Sequence, residues 1–505
     1  MALGPASTLS GSALGGCLIS ALLLILAQPP FSFLPLSFLA LVPLVASIAS
    51  LPPGPTGRWQ ATLLGLLFGA GFWGLSLIWV PLVVGPHFSW AISGYFLLLV
   101  ILGALSGAFG WTTHLLHQGR GIPLGLALPL AWVGIEWIKA HFPFGLAFPW
   151  LGLGVTLTDW PDLLGLAEWV GEEGVAFWLA GVNGMVAGAI LGRKSTSISR
   201  PMFRLGVVIC LPALLGMVRA KTIQLEDGPN LVVVGTRVPP EYRGTLGAAS
   251  VALAQVREAL EPMDPGAIDL VLLPEATIPF PLDDREAVDH REAMVALAFE
   301  LDTPMLVGAL GRVNSGPGEG ALTNSAFLFS PRESLSQRYD KARLVPGMEG
   351  GSYRQESDNE VIRADGWSYG PLLCYESLFD DLARSRGGAQ AQVLLNLTSD
   401  IWFGNEETYL GSLFLFQHPA HLVLRAVENR ISVARAANGG YSFLLDPLGR
   451  VISERVPPAG GATSARVPVY PGRTLFSRTG AWVGLCSTLL CLLLPFAVGI
   501  SKSHR

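Results

Sequence analysis

Charge is what this 505-residue sequence has least of. Asp, Glu, Lys and Arg make up 14% of it, and the mean hydropathy is +0.47. Such values exclude an ordinary soluble protein and point to a membrane. The shortage is local, since only twelve of the 71 charged residues fall in residues 1–203. The chain therefore reads as a membrane block followed by a soluble block. A net charge of −5 offers no basic surface to a nucleic acid. Cysteine is scarce too. Four of the five, Cys17, Cys210, Cys486 and Cys491, lie in apolar runs, which leaves Cys374 alone in the polar part. A single thiol has no partner within its own domain, so a disulfide framework is excluded there. Residues 1–7 carry no Lys or Arg, whereas a cleaved secretory signal opens with basic residues. The first apolar run is accordingly expected to be a retained anchor. The sequence contains no internal repeat and no low-complexity tract.

Seven apolar runs precede the polar block, near residues 12–28, 32–50, 60–83, 90–116, 122–139, 163–192 and 204–219, and an eighth lies near 481–500. Most approach the roughly 20 residues that a bilayer core requires. Those at 12–28 and 204–219 are short, and each reads equally as a tilted or re-entrant segment. Basic residues set the orientation. With the N-terminus in the cytoplasm, Arg58, Arg120, Arg193, Lys194, Arg200, Lys502 and Arg505 all lie on the cytoplasmic side, and the loops at 29–31 and 84–89 carry no Lys or Arg. Lys139, Arg219 and Lys221 depart from the rule, each at the end of a span. Eight spans leave both termini cytoplasmic and the polar block in the periplasm of a bacterium with two membranes. The expected domains are a membrane domain of about seven helices over 1–222, a polar domain over 228–470, and a last span with its tail over 478–505. One outward segment, 136–152, is aromatic and broken by Pro143 and Pro149. Its Trp and Phe side chains read either as an interfacial belt or as a floor for lipid chains.

Within 228–470, short runs such as Leu231-Val-Val-Val234, 270–273, 305–310 and 393–397 alternate with helical stretches such as 248–260 and 411–429. That alternation predicts an α/β sheet, antiparallel where hairpins occur. The run Trp367 to Leu373 reads as a strand that ends on Cys374 and turns into a helix, whose N-terminus favours a thiolate. A buried core cysteine is an equal reading of that stretch alone. Glu275 follows the strand at 270–273, and Lys341 lies in the loop 338–346. A thiol of pKa ~8.5 is only a few per cent ionised at neutral pH. A carboxylate can take its proton, and a fixed ammonium can hold the oxyanion formed when sulfur attacks a carbonyl. Singly, Glu275 reads as a surface carboxylate and Lys341 as a solvated loop charge. With Cys374 they make a complete acyl-transfer set.

Leu272-Leu-Pro-Glu275, Tyr339-Asp-Lys341-Ala-Arg-Leu-Val-Pro346 and Leu373-Cys374-Tyr-Glu376, in that order, resemble the Glu-Lys-Cys signatures of the nitrilase superfamily. Asn396-Leu-Thr-Ser-Asp400-Ile-Trp402-Phe-Gly404, Arg425-Ala-Val-Glu428-Asn-Arg430 and Arg435-Ala-Ala-Asn438-Gly-Gly-Tyr-Ser442 are similar to it as well. Such a domain between seven spans and an eighth resembles one family, the bacterial apolipoprotein N-acyltransferases. In the membrane half Pro29-Pro30-Phe31, the glycine-rich stretch 65–72, Glu136-Trp137 and Phe148-Pro-Trp150-Leu151 look like its motifs. The resemblance covers nearly the whole chain and implies an α/β fold, a nitrilase-like αββα sandwich inserted between transmembrane helices.

It also implies a reaction. Cys374 would attack an acyl ester of a membrane phospholipid and keep the chain as a thioester, with Glu275 as base and Lys341 on the oxyanion. The α-amine of a diacylated apolipoprotein's N-terminal cysteine would then take the chain as an amide, a ping-pong sequence. Glu349 and Glu376 match two further acidic residues of the family and are expected to orient Lys341 and the base. Trp137, Phe148, Trp150, Trp402 and Tyr242 are expected to face substrate or lipid. The resemblance implies no cofactor and no metal, and a monomer in the bacterial inner membrane. Two stretches depart from the family pattern, Pro346-Gly347-Met348-Glu349, where the family has Pro-Phe-Gly-Glu, and Gly235-Thr236-Arg237, where it has a Gln-Gly-Asn type turn. These put substrate detail in question more than reaction class. His418 and His421 read as polar contacts of a helix rather than metal ligands, and Asn396-Leu-Thr398 as a loop-shaping stretch rather than a glycosylation site. A membrane-anchored amidase or thioester hydrolase using the same three residues, and an inactive lipoprotein-binding scaffold, are the alternatives.

Overall fold

Proline marks the start of both helices into which one apolar run divides. The run at 32–50, expected as one span, forms two short helices, α2 (Leu34–Ser37) and α3 (Val42–Ala49), each with a proline in its first turn. There the missing N–H costs no hydrogen bond. The other helices of this part are α1 (Gly11–Ala27), α4 (Pro55–Ser76), α5 (Trp90–His114), α6 (Leu124–Ala140), α7 (Ala167–Leu191), α8 (Ser199–Thr222) and α14 (Trp482–Ala497). By length and apolar composition, three helical stretches among the described residues suffice to cross a bilayer: Trp90–Gly119, Pro161–Leu191 and Met202–Thr222. Gly11–Ala27, Leu34–Ala49 and Trp482–Leu494 are apolar but shorter. Three of the eight runs therefore meet this criterion among the described residues.

The computed structural model describes residues 9–143, 145–192, 199–239, 246–263, 268–313, 320–331, 333–349, 353, 360–404 and 409–497. Tyr242, Arg193, Lys194, Lys502 and Arg505 lie outside them. The chain divides into two units, Met1–Lys221 with Ala481–Arg505, and Thr222–Gly480.

In the first unit the irregular segment after α6 is held by polar side chains. Lys139 donates to the Trp150 carbonyl at 2.7 Å and sits 4.7 Å from the centre of the Trp73 ring. Glu136 accepts the Leu153 N–H at 2.7 Å, and the Gln28 amide donates to the Gly152 carbonyl at 3.2 Å. Non-helical backbone in apolar surroundings requires such partners. Trp150 is 3% exposed, packed against Trp79 and Phe148. This corrects the expectation that it faces lipid, because its ring belongs to the packed interior that the Lys139 hydrogen bond pins. Phe148 is half-buried beside it. Trp137 is half-buried and stacks on His141, ring centres 4.3 Å apart.

In the second unit period-two alternation builds four layers. A sheet of seven strands among the described residues runs β12 (Gly461–Arg466), β1 (Asn230–Gly235), β2 (Leu270–Leu272), β4 (Met305–Arg312), β5 (Leu322–Ser330), β6 (Glu333–Asp340), with β3 (Ile278–Pro281) also paired to β4. A second sheet runs β11 (Phe443–Leu445), β10 (Ser432–Asn438), β9 (Val393–Ser399), β8 (Trp367–Leu373), β7 (Ile362–Ala364). Leu231, Val233, Leu272 and Leu328 of the first sheet meet Tyr369, Leu373, Leu395 and Ala434 of the second in one core. Val232 and Val234, which point the other way, pack against α9 (Leu246–Leu260) and α10 (Val288–Glu300). Leu372 and Leu394 do the same against α11 (Asp380–Gly388) and α12 (Tyr409–Asn429), and α13 (Leu475–Thr479) follows β12. Both sheets are thus covered on both faces, which is why their strands read as continuous apolar runs. A slip of one residue would exchange the two cores, so the register is strongly specified.

Candidate active site

β2 and β6 of one sheet and β8 of the other each end just before a reactive side chain. Glu275 follows β2 by three residues, while Lys341 and Cys374 directly follow β6 and β8. The ammonium of Lys341 lies 3.0 Å from Glu275 Oε1 and 3.0 Å from Glu349 Oε1. Asn324, in β5, donates from Nδ2 to the same two oxygens at 2.7 Å each. Glu275 Oε2 accepts the Ser399 N–H at 3.0 Å. The three charged groups are nearly sealed from water, with Lys341 1% exposed. Burial works against the Lys341 ammonium, but the carboxylates of Glu275 and Glu349 outweigh it and hold its pKa well above the lysine value. Burial likewise opposes the Glu349 carboxylate, and Lys341 with the Val345 N–H outweighs it, so its pKa is lowered.

Gly347 brings Glu349 into this set. Its φ of +76° turns the chain so that the Val345 N–H reaches Glu349 Oε2 at 2.7 Å. The displaced glycine of the Pro346–Glu349 stretch thus serves a local turn. The second departure, at Gly235-Thr236-Arg237, links the sheets: Gly439 N–H donates to the Thr236 carbonyl at 2.7 Å, and the Thr236 hydroxyl donates to Asn438 Oδ1 at 3.1 Å.

Cys374 is 6% exposed and has a φ of +47°, a left-handed conformation that costs a non-glycine residue of order 1–3 kcal/mol. The helix after it is a single 3-10 turn, Cys374–Leu378. The expectation of a helix-stabilised thiolate is corrected here. Burial first, and then the Glu275 and Asp400 carboxylates, push the thiol well above its usual range, against Lys341 and a hydrogen bond with Thr398. One short turn carries too few aligned peptide dipoles to reverse this. These influences together favour the neutral thiol.

Glu376 supports the site without touching Lys341. Its Oε1 accepts the N–H groups of Ala342 at 2.6 Å and Arg343 at 3.0 Å, and its Oε2 accepts that of Leu373 at 2.7 Å. The Tyr339 hydroxyl donates to both oxygens, at 2.8 and 2.9 Å. Glu376 therefore ties the backbone after the lysine to the backbone before the cysteine. Burial raises its pKa. Trp402 is half-buried in the turn after β9. Sequence reasoning missed Asn324; the signal was the polar run Thr323-Asn324-Ser325 inside an otherwise apolar strand. Among the described residues no cluster of His, Cys, Asp and Glu could hold a metal ion.

Two predictions arise here. A Cβ on Gly308, in β4, would stand 2.3 Å from the Pro274 carbonyl oxygen and 2.5 Å from Glu275 Cα. Those are backbone atoms, so Gly308→Ala must displace the Pro274–Glu275 backbone that carries the carboxylate. We expect the initial rate of acyl transfer to fall about 100-fold, measured beside the unfolding midpoint to separate displacement from collapse. The second concerns acid. Asp400 is fully buried and accepts from Arg435, His418 and Thr398. Burial opposes its charge, yet Arg435 and His418 lower its pKa from 3.8 to about 2. A depressed carboxylate contributes stability above the ordinary value and loses it as pH falls through the folded one. The unit should therefore lose about 2 kcal/mol between about pH 4 and pH 2 through this residue, a slope that chemical unfolding of Asp400→Asn should lack.

Both parts of the chain are similar in sequence to known families. Residues 20–185 match the model of the apolipoprotein N-acyltransferase N-terminal domain, and residues 243–463 match that of carbon-nitrogen hydrolases. The apolipoprotein N-acyltransferase of Geobacter metallireducens is 27% identical over 510 residues, covering 95% of this chain and 94% of its own. That of Pseudomonas aeruginosa is 27% identical over 502 residues, covering 92% of each. Among solved structures, a Saccharomyces cerevisiae member of branch 10 of the nitrilase superfamily is 16% identical, covering 49% of this chain and 92% of its own at a TM-score of 0.40. An amidase from Nesterenkonia sp. is 19% identical, covering 49% and 93% at 0.38. With an acyltransferase N-terminal domain, a carbon-nitrogen hydrolase domain and relatives aligned from end to end, the chain belongs to the apolipoprotein N-acyltransferase family.

Proposed function

We propose that this protein moves an acyl chain from a membrane phospholipid, through a thioester on Cys374, to the α-amine of a diacylated apolipoprotein's N-terminal cysteine. The observation that carries the reading is the buried Glu275–Lys341–Glu349 set beside a neutral buried thiol. Glu275 takes the Cys374 proton as the sulfur attacks the ester carbonyl. Lys341 balances the oxyanion of the tetrahedral intermediate. Collapse breaks the ester bond, and the departing glycerol oxygen receives the proton back from Glu275. In the second half the lipoprotein amine attacks the thioester, Glu275 takes the amine's proton, and it returns to the leaving sulfur as the amide forms. Glu349 keeps Lys341 charged, and Glu376 fixes the backbone between Lys341 and Cys374.

Burial favours transfer over hydrolysis. A thioester in a site this closed meets little water, so the chain survives until an amine arrives. Both substrates are membrane-anchored, which suits a catalytic domain flanked by apolar helices. The basic residues Arg58 and Arg120 support a cytoplasmic N-terminus and a periplasmic catalytic domain between the last two of about eight spans, in the inner membrane. Trp137, Phe148 and Trp402 are proposed near the lipid or substrate path, and the working unit as a monomer.

The test uses the purified full chain in phospholipid nanodiscs with a diacylglyceryl-cysteine peptide. N-acylated peptide should appear by mass spectrometry at a rate well above release of free fatty acid. Fatty acid release without peptide acylation would favour the membrane-anchored hydrolase, and neither product would favour the scaffold.

A further inference from the structure

The backbone at Cys374 is gripped on both sides by one closed ring of buried hydrogen bonds. Asn396 Nδ2 donates to the carbonyl of Leu372, two residues before the cysteine, at 2.9 Å. Asn396 Oδ1 accepts from Arg435 Nη1 at 2.5 Å, and Arg435 Nη2 is paired with Asp400 Oδ2. The other oxygen of Asp400 lies 3.1 Å from His418 Nδ1. His418 Nε2 closes the ring on the carbonyl of Cys374 itself, at 3.2 Å, where the Ser377 hydroxyl also donates at 2.8 Å. Four of these side chains, those of Asn396, Asp400, Arg435 and His418, are at most 1% exposed. The imidazole is fixed from its flank by Phe414, ring centres 5.0 Å apart, and Phe414 stacks on Phe403 at 4.2 Å.

The ring has a chemical direction. Asp400 and the Cys374 carbonyl are both acceptors, so both contacts are hydrogen bonds only in the imidazole form protonated on Nδ1 and Nε2, and Nε2 also lies 3.1 Å from the Ser377 hydroxyl. The residue so held is the one with a φ of +47°, a conformation that persists only where its surroundings over-determine it. Sequence reading assigned His418 a plain helix contact. Its contacts instead reach the backbone of the reactive cysteine, from a helix 44 residues further along the chain.

We propose that His418 is a positioning residue for Cys374. Its donation to the Cys374 carbonyl, braced by Asp400, holds the left-handed turn that aims the sulfur at the acyl carbonyl. His418 touches neither substrate nor the reacting atoms in this assignment, and exchanges no proton with the sulfur. The inference rests on Cys374 being the nucleophile, and its test is built so that the two fail separately.

Three variants of the full chain in nanodiscs separate the two ring nitrogens. His418→Ala removes both contacts. His418→Gln can place its amide N–H where Nε2 stood and so restore the bond to Cys374. His418→Asn can restore only the Nδ1 contact to Asp400. The readouts are the single-turnover rate of acyl-enzyme formation with its KM for phospholipid, and the rate at which iodoacetamide labels Cys374 in the mapped peptide. His418→Ala should slow acyl-enzyme formation about 10- to 100-fold through kcat, with KM changed less than about twofold. His418→Gln should recover most of that rate and His418→Asn little of it, and labelling of Cys374 should shift in the same order. Equal recovery by Gln and Asn, a loss confined to KM, or wild-type rates in all three variants would overturn the proposal. If His418→Ala does not fold, the Gln-against-Asn order carries the same decision. Absence of any acyl-enzyme in the wild type would instead defeat the nucleophile assignment, while labelling would still report on the turn.

Discussion

Replacing Lys341 with methionine is expected to reduce acyl transfer by about 10⁴-fold or more. Two losses combine. In the proposed mechanism the ammonium faces the oxyanion, and removing one preorganised stabiliser of this kind costs roughly 10²- to 10³-fold. It also separates Glu275 from Glu349, whose oxygens each lie 3.0 Å from it and share the Asn324 amide. Without it two buried carboxylates face each other and one must take up a proton, which disables the base for part of the population. Breaking a buried pair from one side costs about 3–5 kcal/mol of stability, so the unfolding midpoint should fall with activity. The stability gap between variant and wild type should widen as pH rises from about 4.5 through neutral, because the variant's carboxylate pair holds a proton that the unfolded chain gives up. Lys341 has a raised pKa, so its contribution is complete below about 10.5 and is lost only as pH rises through the folded value. Glu349 has a lowered one, so the gap should shrink as pH falls below 4.5 and that carboxylate protonates.

Glu275→Gln should move two properties of Cys374 in opposite directions. Acyl transfer should drop roughly 10²- to 10⁴-fold with the loss of general-base action. Labelling of Cys374 by iodoacetamide at neutral pH should become faster. After burial, the Glu275 carboxylate is the largest influence raising the thiol pKa, and Lys341 opposes it. With a neutral amide at position 275, Lys341 lowers the thiol pKa with less opposition. A resting thiolate, already ionised, would instead label at the wild-type rate with transfer largely intact. The pH profile of labelling, compared between the two proteins, decides between them.

How much of this was legible in the sequence follows from what sequence carries. Strand ends are local features, so Glu275, Lys341 and Cys374 could be found as reactive types placed just after apolar runs. The apolar run Leu231–Val234 reads as a strand, and its successive side chains land on two cores. Partners far apart in the chain are another matter. The polar run Thr323-Asn324-Ser325 marks Asn324 as unusual but does not name Glu275 and Glu349 as the partners of its amide, and nothing near His418 points to a carbonyl 44 residues earlier. The sequence leaves the state of the thiol open between a helix-favoured thiolate and a buried cysteine for the same reason. A following helix is visible in sequence, whereas the short 3-10 turn, the burial and the facing carboxylates that outweigh it are not. Trp150 was read from composition as interfacial, but the Lys139 bond to its carbonyl draws it inside.

The central claim is that one sulfur carries the acyl chain between two lipids. Its direct measurement is peptide mass spectrometry of the full chain after incubation with a phospholipid of one defined acyl length and no acceptor. The Cys374 peptide should gain the mass of that acyl group. The adduct should be released by neutral hydroxylamine, discharged on addition of the diacylated peptide, and missing from Cys374→Ser. Acylated peptide formed at wild-type rate by Cys374→Ser, or an adduct that the acceptor does not discharge, would contradict the account.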